Sequence, residues 1–369
     1  MQEDFHYYAT YAAAILAGYT HKESMDIAYS AQFVDLCSVT LLSKIKAPLK
    51  AATTQLQLEM MDARTDIVGL QNITRIWASF HFLPKDLYAQ KAKRPKKYMH
   101  KYRLICGPNG ELVKKTVELA KGRSLQHAGI AMHVLADTWA HSYFAGTPSL
   151  VINNTNDEFY ELINENGKEI ERKIKFRHNP GADDDLDKSL YTNSLYQASE
   201  NSIMNLGHGR AGHLPDYSFA RYSYLPAWDD YNAVIKDNPS DYRKAFCQMI
   251  RALRFLRSDI ETFGTDEYEY DIIAPHEDRI MRIITKRQLN ASADWKAFGE
   301  ELSGNAVDNF DINRYQDEYT EATDKDATFL GQFINGAMLH KGMVCRQIFE
   351  SGNMLAGYVG EEKGTADKQ

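Results

Sequence analysis

Three histidines and one aspartate fall within fifteen residues of an otherwise apolar run, HAGIAMHVLADTWAH (His127 to His141). His133, Asp137 and His141 recur every four residues, so on a helix they drift only about 40° per step along one face. His127 falls roughly 120° from His133, at the edge of that arc. An H-x-x-x-D pair is a two-ligand metal platform, because both side chains reach one point from adjacent turns. Met132, Val134, Leu135 and Trp139 are apolar, so the helix is expected to be buried, and buried Asp and His need partners. A single His–Asp pair can satisfy itself in a core. Four polar groups on one buried arc point to a cation.

One helix supplies only part of a coordination sphere, so further ligands must come from other elements. His6 lies among aromatics in DFHYYATYAAAILAGY. Asp35 closes the apolar stretch AYSAQFVD, and His81 stands between Phe80 and Phe82 in WASFHFLP. GHGRAGHLPD holds His208, His213 and Asp216 in a glycine-rich turn, where backbone approaches a site closely. Together they are an inventory of N and O ligands for hard-to-borderline cations. His21, His100, His178, His276 and His340 stand in polar or C-terminal contexts and receive no role.

The elements that must position these residues read as mostly helical, with small β-hairpin insertions. DFHYYATYAAAILAGY has helical spacing and stops at Gly18, a C-terminal cap. Thr20 with Glu23 makes a capping box for a second helix that runs to AQFVDLC. A third helical segment covers roughly 60 to 80, and Pro84 ends it. YRLICGPNGELVKK reads as a strand, a Pro-Asn-Gly turn, then a strand or helix start. EFYELINENGKEIERKIKF is a hairpin with Asn166-Gly167 at its turn. The acidic loop NPGADDDLDK follows, then a helix leading into NLGHGRAGHLPDY; from about 240 onward the pattern is helical again. The last ten residues are polar and expected to fray. Residues 1–240 are expected to form the core that carries the chemistry, and 241–369 a helical part packed on it.

In this order along the chain, the candidates resemble the superfamily of zinc-dependent phospholipases C and single-strand-specific zinc nucleases, which are mostly helical and hold three zinc ions. His6 resembles that family's N-terminal His, Asp35 its A-x-x-x-D aspartate, and His81 its "hydrophobic-His-aromatic" histidine. His133 and Asp137 resemble the central pair. His141, with His208 or His213, and Asp216 would complete the remaining site; the spacing leaves both histidines open. Those enzymes also use their N-terminal amine and carbonyl as ligands, which Met1 or, for the oxygen, Asp4 would supply here. His127 has no counterpart and would be an extra ligand or a partner to one. DFHYY and ADTWAH also look like an uncharacterised bacterial family related to these enzymes. The resemblance covers about the first 216 residues. It implies two to three Zn2+ ions, Asp137 as bridging ligand, Asp35 as the carboxylate near the attacking water, and a zinc-bound hydroxide that hydrolyses phosphate esters, phospholipase C-like. A single-strand nuclease and a non-catalytic protein with a structural metal cluster are the alternatives.

Composition narrows the field. A formal net charge of −7 argues against a generic nucleic-acid binder. Four well-separated cysteines (Cys37, Cys106, Cys247, Cys345) make neither a disulfide framework nor a thiolate metal site. YATYAAAILAGY is too short to span a bilayer and lacks a basic region before it, so it is not read as a signal peptide; cytoplasmic residence and leaderless export both stay open. No G-x-S-x-G marks a nucleophilic serine. The run Lys91 to Arg103 holds seven Lys or Arg; it is expected to be a solvated hairpin or loop face, with anionic membrane or a phosphate backbone as the functional alternative. ADDDLDK (Ala182 to Lys188) lacks EF-hand spacing and reads as a plain acidic loop.

Overall fold

The computed structural model describes residues 1–156, 158–177, 186, 190–193 and 206–358. The chain opens with a π-helical turn, Asp4–Ala9, that runs into α1 (Thr10–Leu16). Gly18 closes that helix with φ +89°. Its amide bonds the Ile15 carbonyl while Tyr19 bonds that of Ala14, the paired bonds of a Schellman cap. Thr20 and Glu23 form the expected capping box at the start of α2 (His21–Phe33). One expectation needs correction: α2 ends at Phe33, so Asp35 lies in the turn beyond it rather than on the helix.

A short helix (Gln57–Ala63) and α3 (Ile67–Ile76) follow, and α3 continues through a second π-helical turn, Trp77–His81. After α4 (Glu111–Ala120) comes α5 (Leu125–Ala140), buried from Gln126 to its end. Four helices surround α5: α2, α4, α6 (Asn238–Leu256) and α8 (Phe329–Glu350). Another, α7 (Ser292–Ser303), packs on the opening π-turn and α1. The main apolar core runs from Phe5 and Ile27 through Met132 and Leu135 to Phe246, Trp295 and Ile348. Residues on both sides of position 240 therefore share it.

The strands form a small layer beside the helices. β1 (Tyr160–Glu165) and β2 (Lys168–Lys173) are the expected hairpin, with Asn166 and Gly167 both at positive φ. A parallel pair, β3 (Lys175–Arg177) with β4 (Tyr191–Asn193), was not expected. β5 (Arg221–Tyr224) and β6 (Val234–Asp237) extend the first hairpin into an antiparallel sheet of order β2-β1-β5-β6.

Two further readings are corrected. No strand covers YRLICG: Lys96–Tyr102 is a helix started by Pro95, and Ile105 and Cys106 make only isolated bridges to Ala145 and Pro84. The basic run is therefore largely helical, because Tyr98 and Met99 fall on one buried side while Lys93, Lys96 and Lys97 stay exposed. The acidic loop, the helix expected before NLGHGRAGHLPDY and the last ten residues lie outside the described residues, apart from Leu186 and the short strand β4.

Candidate metal centre

α5 brings His133, Asp137 and His141 to one end of the core, as their spacing requires. Three of the site's histidines are each fixed by a backbone carbonyl at one ring nitrogen. His133 donates Nδ1–H to Ala31 O (2.9 Å), His141 donates Nδ1–H to His81 O (2.8 Å), and His81 donates Nε2–H to Thr53 O (2.9 Å). These bonds choose the tautomer, and so leave the other nitrogen of each ring as an acceptor aimed inward.

The inward atoms crowd together. His133 Nε2 and His81 Nδ1 are 3.4 Å apart, and they lie 3.2 and 3.4 Å from Asp137 Oδ2. On the other side of the carboxylate, His6 Nε2 lies 3.1 Å from Asp137 Oδ1. The His6 ring stacks on His133 at 3.8 Å, yet neither of its nitrogens makes a hydrogen bond with good geometry. Asp35 approaches from the open side, 3.8 Å from His81 and His133 and 3.9 Å from His6. Three groups with ligand spacing result: His6, His133 and Asp137; Asp35, His81 and His133; and His141, His208 and Asp216. In the third, His208 Nε2 is 3.2 Å from His141 Nε2, and each lies 3.4 Å from Asp216 Oδ1.

Those separations suit a shared ion. Ligand atoms around a tetrahedral ion with bonds of about 2.0–2.1 Å stand roughly 3.4 Å from one another. Lone pairs that face each other without a donor between them repel, and burial removes the water that would otherwise intervene. A cation relieves that arrangement: a proton, an ammonium group or a metal ion.

Charge in the site follows burial. His6, His133 and His141 are each lowered to about 4, chiefly because burial disfavours the imidazolium. Burial lowers His81 as well, but its bond to Asp137 and the charge of Asp35 outweigh it and raise its pKa. Burial works to raise Asp137; His141, the Met1 ammonium, His133 and His6 override it and hold this carboxyl well below the usual range. Asp35 goes the other way, raised by burial more than the histidines lower it. The Met1 nitrogen is enclosed with them, 2.9 Å from Asp137 Oδ1 and 3.2 Å from both Asp216 Oδ1 and His141 Nε2. Burial would depress this amine; the carboxylates of Asp137, Asp216 and Asp35 prevail and raise it to about 11.

His208 reaches the site because Gly207 takes φ +52° against Asn153, where a Cβ would meet Asn153 Oδ1 at 2.9 Å. His213 is 53% exposed, lies 3.9 Å from Asp216 Oδ2 and joins none of the three groups. His127 points elsewhere, bonding Ser124 Oγ through Nδ1 and lining a small cavity with Thr116 and His340. Asp4 accepts the amide of Ala291 at 3.0 Å and joins none of the groups either. Sequence reasoning missed the carbonyls of Ala31, Thr53 and His81, which carry no residue-type signal. It also missed the pocket above the clusters, about 350 Å³, into which Asp35, His81, His141, His208 and Asp216 face. Trp77, Phe82 and Phe144 form its apolar walls.

A family model described as a family of unknown function (DUF6765) matches residues 1–348. No curated protein and no solved structure matches the chain. The chain therefore belongs to this family.

Proposed function

For a member of a family without an assigned function, we propose from the site itself a metal-dependent hydrolase of phosphate esters, phospholipase C-like in its chemistry. The observation that carries this reading is the convergence of His81 Nδ1, His133 Nε2 and the Asp137 carboxylate beneath an open pocket. A structural metal site is closed by protein on every side, whereas a hydrolytic one keeps a position open to solvent and substrate. Asp35 and His208, each about a quarter exposed, supply that opening.

The donor set is nitrogen and oxygen, which zinc shares with other first-row divalent ions, and the reading adopts zinc, two or three ions of it. His6, His133 and Asp137 would hold one, and Asp35 and His81 with the second Asp137 oxygen another, since His133, its Nδ1–H given to Ala31, has one nitrogen to offer; His141, His208 and Asp216, beside the Met1 nitrogen, would hold a third. Ions there would supply Lewis acidity, neutralising phosphate charge and acidifying water. Asp137 directs its two oxygens at different histidines and is suited to bridge. Asp35 stands at the mouth with its carboxyl raised by burial, placed to accept a proton from water entering the pocket. Trp77, Phe82 and Phe144 would exclude bulk water and seat the apolar part of a substrate. The cysteines are not rivals as nucleophiles, since all four are buried and burial pushes the Cys37 and Cys247 thiols up to about 12.

Elemental analysis of purified protein is expected to find two to three zinc equivalents (roughly, from the donor set). Assays on phosphatidylcholine and on single-stranded DNA then choose the substrate class, with Asp137→Asn as control. Loss of both metal and hydrolysis in that variant is the expected result. Absence of metal, or activity that Asp137→Asn leaves intact, overturns the reading.

A further inference from the structure

α3 lends Ile76 to the pocket wall, while Ile67, Leu70 and Thr74 line a separate groove of about 550 Å³. The segment after α5 is shared in the same way: Ala145 and Asn153 face the pocket, Leu150 and Val151 the groove. Four solvent-exposed aliphatic side chains from three stretches of chain line this groove, and a fifth, Val68, is the exposed chain neighbour of Ile67. Ile67 is 75% exposed, Val68 63%, Met354 54%, Val151 47% and Leu150 46%. Single exposed apolar residues are ordinary, but a contiguous set marks an interaction surface.

One rim of the groove is the basic helix Lys96–Tyr102, which contributes His100 and Lys101. Lys91 and Arg94 of the preceding turn are neutralised by Asp229 and Asp230. Lys93, Lys96, Lys97 and Lys101 make no ion pair among the described residues. Asp66, the residue that precedes α3, caps that helix by accepting the amide of Gly69. No described helix is long and apolar enough to cross a membrane.

We propose that this face docks on an anionic lipid bilayer, with Ile67, Val68, Leu150, Val151 and Met354 entering the headgroup–acyl boundary and Lys93, Lys96, Lys97 and Lys101 meeting the lipid phosphates. Charge complementarity selects this occupant. Lysines beside an aliphatic surface keep their ammonium groups at headgroup level while their stems lie over apolar neighbours. Each cation near an anionic leaflet adds favourable energy, and the aliphatics add area-dependent insertion. A single strand of nucleic acid would use the lysines but leave the aliphatics in water, and it stacks on aromatic faces that this groove does not offer. The inference stands on the exposed surface and does not depend on the metal-centre reading.

Co-sedimentation of the full chain with phosphatidylserine-rich vesicles, against pure phosphatidylcholine vesicles, tests it. Binding to the first and much less to the second is expected, weakening as salt rises. K96E/K97E should weaken binding by about tenfold or more, and I67S/V151S should weaken it at every salt concentration. Circular dichroism matching the parent shows that both variants are folded, since all four positions are exposed. No sedimentation with phosphatidylserine vesicles, equal binding to both vesicle types, or indifference to both variants overturns the proposal. So does capture of single-stranded DNA, but not vesicles, that K96E/K97E abolishes. Binding is read without hydrolysis, so its failure leaves the metal-centre reading standing.

Discussion

His133 donates its Nδ1 proton to the carbonyl of Ala31 at 2.9 Å, across the interface between α5 and α2. Gly129, one turn earlier on α5, lets the two helices come that close. A Cβ at 129 would lie 2.4 Å from the Ile27 carbonyl oxygen and 2.5 Å from Ser30 Cβ. Gly129→Ala is expected to force the helices apart, at a cost of about 1–3 kcal/mol. The same displacement should lengthen the bond that orients His133 and reduce metal affinity by about tenfold or more. Denaturant unfolding and a metal titration measure the two effects. Unchanged values for both would mean that α2 does not set the direction of His133.

Metal removal should be visible in stability. The inward lone pairs of His81, His133, His141 and His208 face carboxylates, and an ion bound to the folded state alone stabilises it by mass action. Thermal melts with chelator and with zinc are expected to differ, by about 2.7 kcal/mol at a hundredfold excess over the dissociation constant. Calcium or magnesium should substitute poorly, since both prefer all-oxygen sites. A melting temperature indifferent to chelator and to added zinc would count against an ion at any of the three groups.

How much of this was legible depends on whether the information is local. The i, i+4, i+8 spacing of His133, Asp137 and His141 is local, and helical geometry turns it into one face without further help. His6, Asp35 and His81 stood out as polar residues in apolar surroundings, although the segment holding Asp35 turned out to be a turn beyond α2. Choosing between His208 and His213 was not local: it depends on the backbone at Gly207 and its approach to Asn153. The tautomers depend on main-chain carbonyls, which every residue has. Overreading of local pattern explains the strand expected at YRLICG, where Leu104 and Cys106 bond instead to the stretch that follows His141. Those bonds hold the third group in place, and nothing in the segment's own composition says so.

Acid should unfold the protein partly through a histidine outside the site. His340 on α8 is buried, donates Nε2–H to the Ser79 carbonyl at 2.7 Å, and is lowered by burial to about 4. Its unfolded value is near 6.5, so between the two values the unfolded chain binds the proton and the folded chain does not. This contribution is complete above about pH 6.5 and disappears as the pH falls toward 4, a loss of up to about 3 kcal/mol. His340→Gln keeps a donor for Ser79 and removes the titration. Its stability should fall less steeply than the parent's across that window, measured by urea unfolding with chelator present. Parallel curves would show that His340 is protonated in the folded protein.

The last group that holds the centre in shape is a buried cation on the sheet. Lys236 of β6 is 1% exposed and donates to Trp139 O at 2.8 Å, Ser142 Oγ at 2.5 Å and Asp241 Oδ2 at 2.6 Å. Trp139 and Ser142 flank His141 where α5 ends, so this ammonium fixes the backbone that presents His141 to His208 and Asp216. It also serves as a C-terminal cap, placing positive charge at the negative end of the helix dipole. Lys236→Met fills the same volume but leaves the carbonyl, the hydroxyl and Asp241 without their donor. The expected cost is about 3 kcal/mol, in the range for breaking a buried ion pair. The affected ion is specific: the group of His141, His208 and Asp216 should lose occupancy, while those built on His6, His81 and His133 keep theirs. Metal stoichiometry of the folded variant, about one equivalent below the parent, is the reading to look for. A variant that loses stability but keeps the full complement would confine Lys236 to a structural role.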